Sequence, residues 1–353
     1  MAYTDIDKPT DYFDTLIYSG NGNNPRTLSG LDFQPDWVWQ KNRTDSNGHT
    51  LADSVRGANK TLSSDGAGAE VTDKNDGHLD AFTSDGFTVG AGSSSDARVN
   101  DGSHTYVAWN WKAGGSASNN TDGNTTTSVS VNQDAGFSIM KYAGDGNDST
   151  IGHGLGAKPE YIIFKETDGA ESWRVHSIYT PNNASNTLAL NLADAAFSQS
   201  NWISAISNTT ISIGTDSSFN TDGNNYIAYA FAPKQGYSKI GSYTGNGNAN
   251  GTFVYTGFKP AFIMWKGTAS TQNWMLVDNK RDVSNLGNGL NDVAFPNSSQ
   301  VANDGETFLD VLSNGFKIRT TETGVNASGE VHIYMAFAEN PFVTSTGVPT
   351  TAR

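Results

Sequence analysis

Short apolar runs rich in Tyr, Phe, Ile, Val and Trp recur along the chain, and clusters of Gly, Asn, Ser, Thr and Asp interrupt them. β-Branched and aromatic residues suit a pleated surface and the interrupting residues suit turns, so the pattern predicts an all-β fold of short strands. Three anchors repeat in a fixed order. The first is a Tyr that closes an apolar segment and leads into Gly-polar-Gly-Asn, at Tyr18 to Asn23, Tyr142 to Asn147 and Tyr243 to Asn248. The second is a Pro, an aromatic-rich alternating run and then a Lys six residues after the Pro, at Pro35 to Lys41, Pro159 to Lys165 and Pro260 to Lys266. Fourteen residues past the Pro stand Trp173 and Trp274, with His49 in the first copy. The third anchor reads Tyr106-Val-Ala-Trp109-Asn-Trp111, Tyr226-Ile-Ala-Tyr229-Ala-Phe231 and Tyr334-Met-Ala-Phe337-Ala338. In copies two and three its period of two sets Ala against large residues, which predicts a central strand with one close-packed face. A Gly-Phe step precedes it at Gly86-Phe87 and Gly315-Phe316 and is missing from Ser207 to Thr210.

This repetition predicts three tandem, diverged β-sandwich domains of jelly-roll-like type, although Gly-rich turns would equally close small barrels. The expected boundaries are an N-terminal arm at 1–12, repeats at 13–113, 134–235 and 236–342, and an extended C-terminal tail at 343–353. Residues 114–133, rich in Gly, Ser, Thr and Asn, read as a flexible linker. The junction from Pro233 to Gly236 is short, so copies two and three are expected to form a rigid pair and copy one to swing.

Composition narrows the function. Of the 353 residues, 11% are aromatic, which excludes a disordered chain and leaves enough length for three small cores. The absence of Cys excludes a disulfide scaffold and thiolate chemistry. A net charge of −14 without clustered Lys or Arg offers no counterion release, so nucleic acid is not an expected partner. The opening Met1 to Lys8 lacks a basic and an apolar region and no stretch approaches a membrane span, so synthesis in the cytoplasm without membrane insertion is expected.

The Gly-polar-Gly-Asn segments admit two readings: hairpin turns, or loops whose oxygens wrap Ca²⁺, with Asp145, Asn147 and Asp148 as the candidate ligands. Copies one and three carry Asn where a calcium loop wants carboxylates, which favours turns. The same weighing covers Thr221 to Asn224, where Asp222 and Asn224 are candidate ligand-binding residues. No helix pattern follows these glycines, so they are no nucleotide fingerprint. Asp53 with Arg56 and Asp278 with Arg281 read as ion pairs at strand ends instead of glycosidase acids. The six His lack zinc spacing and no Gly-x-Ser-x-Gly occurs, so neither an enzyme nor a cofactor is expected. Repeating aromatics read as core, whereas Trp202, without a repeat partner, is the candidate for surface binding.

The stretch from Tyr18 through Pro35-Asp-Trp-Val-Trp-Gln-Lys-Asn-Arg43, Asp53-Ser-Val-Arg-Gly57, Ser84-Asp-Gly-Phe-Thr-Val-Gly90 and Tyr106 to Ala113 resembles a domain of unknown function in marine bacteriophages, notably podoviruses. The ending Ser345 to Arg353 is similar to the ends of such proteins, which are labelled tail-fibre-like. The resemblance implies a virion location, no catalysis and other virion proteins as partners. It raises the expectation of a tail fibre or appendage that contacts a host glycan or receptor, assembled as a homo-oligomer, with a trimer the first guess. The alternatives are a capsid-decoration or tail-joining protein, and a polysaccharide-binding or depolymerising protein.

Overall fold

The computed structural model describes residues 3–94, 98–281, 290, 292–302 and 307–350. Residues 1–2 of the expected arm and 351–353 of the expected tail lie outside them. The first third of the chain forms β1 (Phe13–Ser19), β2 (Arg26–Ser29), β3 (Trp37–Asn42), β4 (Thr50–Asp53), β5 (His78–Thr83), β6 (Gly86–Gly90) and β7 (Thr105–Trp111). The middle forms β8 (Ser118–Asn120), β9 (Thr127–Asn132), β10 (Phe137–Ala143), β11 (Ser149–Gly152), β12 (Tyr161–Glu166), β13 (Arg174–Ser177), β14 (Asn186–Ala189), β15 (Phe197–Ser198), β16 (Ile203–Ile206), β17 (Thr210–Ile213) and β18 (Asn225–Phe231). The last third forms β19 (Ser238–Thr244), β20 (Phe253–Tyr255), β21 (Phe258–Gly267), β22 (Met275–Asp278), β23 (Leu309–Leu312), β24 (Gly315–Ile318) and β25 (Val331–Pro341).

The fold is all-β, and one sheet order recurs. A large sheet β1-β7-β3-β4 faces a small sheet β2-β6-β5; β19-β25-β21-β22 faces β20-β24-β23 in the same way. In the middle, β10-β18-β12-β13 plays the large-sheet part within an eight-stranded sheet, and β11-β17-β16 is the small one. The third-anchor strands β7, β18 and β25 are flanked on both sides, as their alternation predicts. Each sandwich has its own interior, for example Val38, Ala52, Phe87 and Ala108 in the first.

The other face of each large sheet is buried as well. Trp37, Trp39, Trp109 and Trp111 of the first segment share one core with Tyr161, Ile163, Tyr229 and Phe231 of the second and Phe262, Met264, Met335 and Phe337 of the third. Trp37 stacks on Tyr229 with centroids 4.3 Å apart, Phe13 on Phe337 at 5.0 Å, and Phe231 meets Phe337 edge-on at 5.9 Å. Burial on both faces explains why β3, β12 and β25 read as nearly continuous apolar runs.

Hydrogen bonds close the three segments into a ring. His49 Nε2 meets Phe295 O at 3.0 Å, Trp173 Nε1 donates to Ser63 O at 2.9 Å, and Trp274 Nε1 donates to Ala189 O at 2.8 Å. Donor and acceptor occupy equivalent positions each time, running from first to third, second to first and third to second, which is a cyclic arrangement with approximate threefold symmetry. A parallel set links Tyr229 to Asp53 (2.7 Å) and Trp109 to Asp278 (2.9 Å). Asp53 and Asp278 also hold Arg56 and Arg281 as fully buried pairs. At the third junction Met335 and Ser177 take the donor and acceptor places and Thr180 the arginine's, so all three groups are replaced together. Leaving one of them buried and unpaired would cost several kcal/mol.

Four expectations change. The first segment does not swing, because its aromatic face is core to the other two. Residues 114–133 are not a linker: β9 adds to β10 and β8 to β9, because Thr127-Ser-Val-Ser-Val alternates as a strand does. The third anchor slips by two residues in the last copy, where His332, not Tyr334, stands opposite the Tyr243 that matches Tyr18 and Tyr142. A slip of two preserves the face and so is silent in an alternating pattern. The tail is not extended: Thr344 N donates to Val348 O, and Ser345 donates from N and Oγ to the Asp7 carboxylate, tying tail to arm.

His49 Nδ1 accepts the Trp39 indole N–H at 2.8 Å, which fixes the neutral ring with its proton on Nε2. Burial, assisted by Lys41 and opposed by Asp65, pushes its pKa down to about 4. A folded value below the unfolded one means stability is held above pH ~6.5 and lost as pH falls toward 4, by up to about 2–3 kcal/mol. Urea unfolding at pH 7 and pH 4.5 should therefore show a smaller pH loss for His49→Gln than for the parent chain; equal losses would contradict this role.

Candidate functional site

The recurring Gly-polar-Gly-Asn segments lie at equivalent places, between a large-sheet strand and a small-sheet strand. They are turns but not hairpins, since β1 and β2, β10 and β11, and β19 and β20 belong to different sheets. In each, the polar residue's Oδ1 accepts the N–H two positions on: Asn21 from Asn23 at 3.0 Å, Asp145 from Asn147 at 2.9 Å and Asn246 from Asn248 at 3.0 Å. The glycine between has positive φ, 71°, 68° and 65° for Gly22, Gly146 and Gly247.

A buried asparagine that the repeat pattern did not reveal locks every copy. Asn100, Asn220 and Asn326 accept through Oδ1 from the N–H of Asn21, Asp145 and Asn246, and their Nδ2 groups donate to the carbonyls of Asn23, Asn147 and Asn248. The anchor tyrosines Tyr18, Tyr142 and Tyr243 each donate to the carbonyl just before that asparagine. The first glycine of the turn leaves no room for a Cβ, which at Gly144 would lie 2.3 Å from Thr221 O. Each stands six residues before the residue paired with the anchor tyrosine, Tyr106, Tyr226 and His332, a constant spacing that the two-residue slip of the last copy hides when Tyr334 is taken as the anchor.

This clasp engages the candidate cation ligands. Asp145 Oδ1 accepts from Asn147 N and Asn220 Nδ2, and Oδ2 from Ser149 Oγ and Thr125 Oγ1. Partial burial raises its pKa, but these hydrogen bonds outweigh that and hold it below the usual carboxylate range. Asn147 turns back on the Asp145 carbonyl, and Asp148 is exposed. No trio of His, Asp or Glu able to hold a metal occurs among the described residues. Asp222 is exposed on the neighbouring turn, while Asn224 Nδ2 donates to Glu166 Oε1.

Trp202 is a core residue, 4% exposed, packed edge-on against Phe219 at 5.0 Å and Phe164 at 6.1 Å. Register gives it the repeat partners that its identity hid, His78 and Phe308, both buried. Likewise Thr210-Ile211 fills the place of the missing Gly-Phe step.

Trp202 and Asp148 do meet at one feature, a cleft of about 510 Å³ on the small sheet of the middle segment. Thr150, Ser204 and Ser212 supply hydroxyls, Gln199 and Asn201 amides, and Trp202 with Ile203 the floor. Asn201 adopts φ 52° where Gly214 presses against it, a Cβ there lying 2.3 Å from Asn201 O, so the cleft wall is set by backbone contact. Gln199 is anchored on Asp216, and Asn124 accepts from Thr150 N and Oγ1. Asp148 is the single carboxylate in the lining, so the cleft holds no acid pair for glycoside hydrolysis. Hydroxyl and amide groups around an apolar floor suit a neutral, polyhydroxylated ligand.

The recurring Lys165 and Lys266 are buried and donate to the carbonyl of the following residue. Burial pushes both pKa values down to about 8. Lys41 makes the same bond to Asn42 O, so all three cap the end of a strand.

The family described as a domain of unknown function, DUF7483, matches residues 8–341, and the chain belongs to it. No curated protein and no solved structure matches the chain.

Asn220→Ala would strand the Asp145 N–H and the carbonyls of Asn147 and Gly214. A loss of about 2–4 kcal/mol in urea unfolding is expected; a loss under about 0.5 kcal/mol would show that the clasp is not structural.

Proposed function

We propose that this member of the DUF7483 family is a non-enzymatic structural protein on the outside of a bacteriophage particle, a tail fibre or appendage that recognises a neutral glycan of the host surface. The observation that carries this reading is the cleft between Asp148 and Asn201, a hydroxyl- and amide-lined hollow with one carboxylate on a rigid all-β body. The resemblance of the first third to tail-fibre-like phage proteins supplies the setting. The acidic chain, at −14, meets an anionic envelope through uncharged groups, which is what the cleft offers.

The tail-joining reading, in which the arm and tail are the docking elements, is less favoured. Tyr3 donates to Gly257 O at 2.6 Å, Thr4 to Gln235 O at 2.8 Å, and Asp7 holds Ser345, so the described parts of arm and tail are engaged on the chain itself. The aromatic core is complete within one chain, so a trimer is not needed to bury it.

Titration calorimetry of the purified chain with neutral polysaccharides from the host surface should show saturable binding. Ser204→Ala combined with Ser212→Ala, which removes two lining hydroxyls from strand positions, should weaken it about tenfold or more without moving the unfolding midpoint. Binding that ignores both substitutions, or shortening of the glycan by the protein, would contradict this reading.

A further inference from the structure

The middle and last segments treat one equivalent edge differently. In the middle segment the edge strand β10 is covered by the chain itself: β9 pairs along it, Ser130 opposite Ile139 and Ser128 opposite Lys141. The same passing segment touches the small sheet, where Thr125 N donates to Thr150 O and Thr127 Oγ1 to Gly152 O. A strand therefore lies in the groove between β10 and β11 and satisfies both.

In the last segment the equivalent strands β19 and β20 are edges of their sheets, and no strand among the described residues pairs with their outer sides. A groove of about 410 Å³ runs between them. Gly245 N donates to Glu330 O on the β25 side, so by antiparallel alternation the N–H and C=O of Ser242 point out into the groove. In the first segment Arg26 spans the corresponding gap, donating to Ser19 O and lying over Tyr18. In the last its counterpart is the shorter Thr252, bonded to Thr244 O, which leaves the gap open.

The outward residues of β20 also differ. Register aligns Phe253 and Tyr255 with Thr27 and Ser29 in the first segment and with Thr150 and Gly152 in the middle one. Phe253 is 44% exposed and Tyr255 55%, although small residues suffice at both sister sites. Two aromatics held into solvent beside an unpaired edge make a surface that a guest would cover.

We propose that the β19–β20 groove is a docking site for an extended, uncharged polypeptide strand of a partner protein, seated as β9 is seated on β10. The guest pairs its backbone with Ser242 and lays alternate β-branched side chains against Phe253 and Tyr255. Lys239 is the one charged residue of the groove, so the guest needs no basic residues. This proposal is independent of what the polar cleft binds.

The test uses the full chain and a fluorescent synthetic peptide with the uncharged sequence of residues 124–133, whose native seat is the equivalent edge. Anisotropy titration should show saturable binding, with slowed amide exchange in β19. Ser242→Pro removes one outward N–H at an edge position where proline is tolerated, and should weaken binding about tenfold. Phe253→Ser with Tyr255→Ser should do the same while leaving the unfolding midpoint unchanged, which guards against misfolding of the proline variant. No binding at millimolar peptide, or equal binding to both variants, would overturn the proposal. So would a neutral glycan that needs Phe253 and Tyr255 but ignores Ser242→Pro, which would make the groove a carbohydrate platform.

Discussion

The structure depends on the burial of both faces of its three large sheets. A sheet in a free sandwich keeps one face for solvent, but here the second face of each carries Trp37, Tyr161 or Phe262 and their strand neighbours, which only the other two segments cover. Burying an aromatic of this size contributes about 3–5 kcal/mol against truncation to Ala, so separating the segments would expose more apolar surface than three small cores can compensate. The segments are diverged in sequence yet tied in stability, and the clasps and turns are held at fixed places on one body.

Polar groups give that core its register. Apolar contact alone would let the segments rotate, whereas the bonds from His49, Trp173 and Trp274 fix each to a carbonyl of the next. The buried Asp–Arg pairs serve two junctions and are replaced as a unit at the third. That joint replacement follows from energetics: a lone buried carboxylate is costly, and Ser177 with Met335 leaves no charge to satisfy.

Much of the fold was legible. The turn, Pro-to-Lys and closing-strand anchors located β1, β3, β7 and their counterparts, and alternation identified the flanked central strands. What escaped was whatever depends on partners distant in sequence. His49 differs in type from Trp173 and Trp274 at the same position, yet an imidazole N–H donates as an indole does. Trp202 looked solitary because its counterparts His78 and Phe308 share burial and not chemistry. Composition alone made 114–133 a linker and hid the period of two in Thr127 to Asn132. Asn100, Asn220 and Asn326 act through a fold that brings them to the turns from roughly 75–80 residues away, and their constant place six residues before Tyr106, Tyr226 and His332 shows only once the slip of the last copy is known. Of the candidate site, Asp148 and the floor over Trp202 converge on the cleft, whereas Asp145 is consumed by the clasp and Asn224 by Glu166.

The closed ring around a shared core is the central claim, and small-angle X-ray scattering of the intact chain tests it most directly. A compact body of 353 residues should have a radius of gyration of about 20 Å, with a pair-distance distribution of one peak. A value near about 30 Å, as expected for three ~13 Å bodies strung in a row, would contradict the ring and return the first segment to a swinging tether.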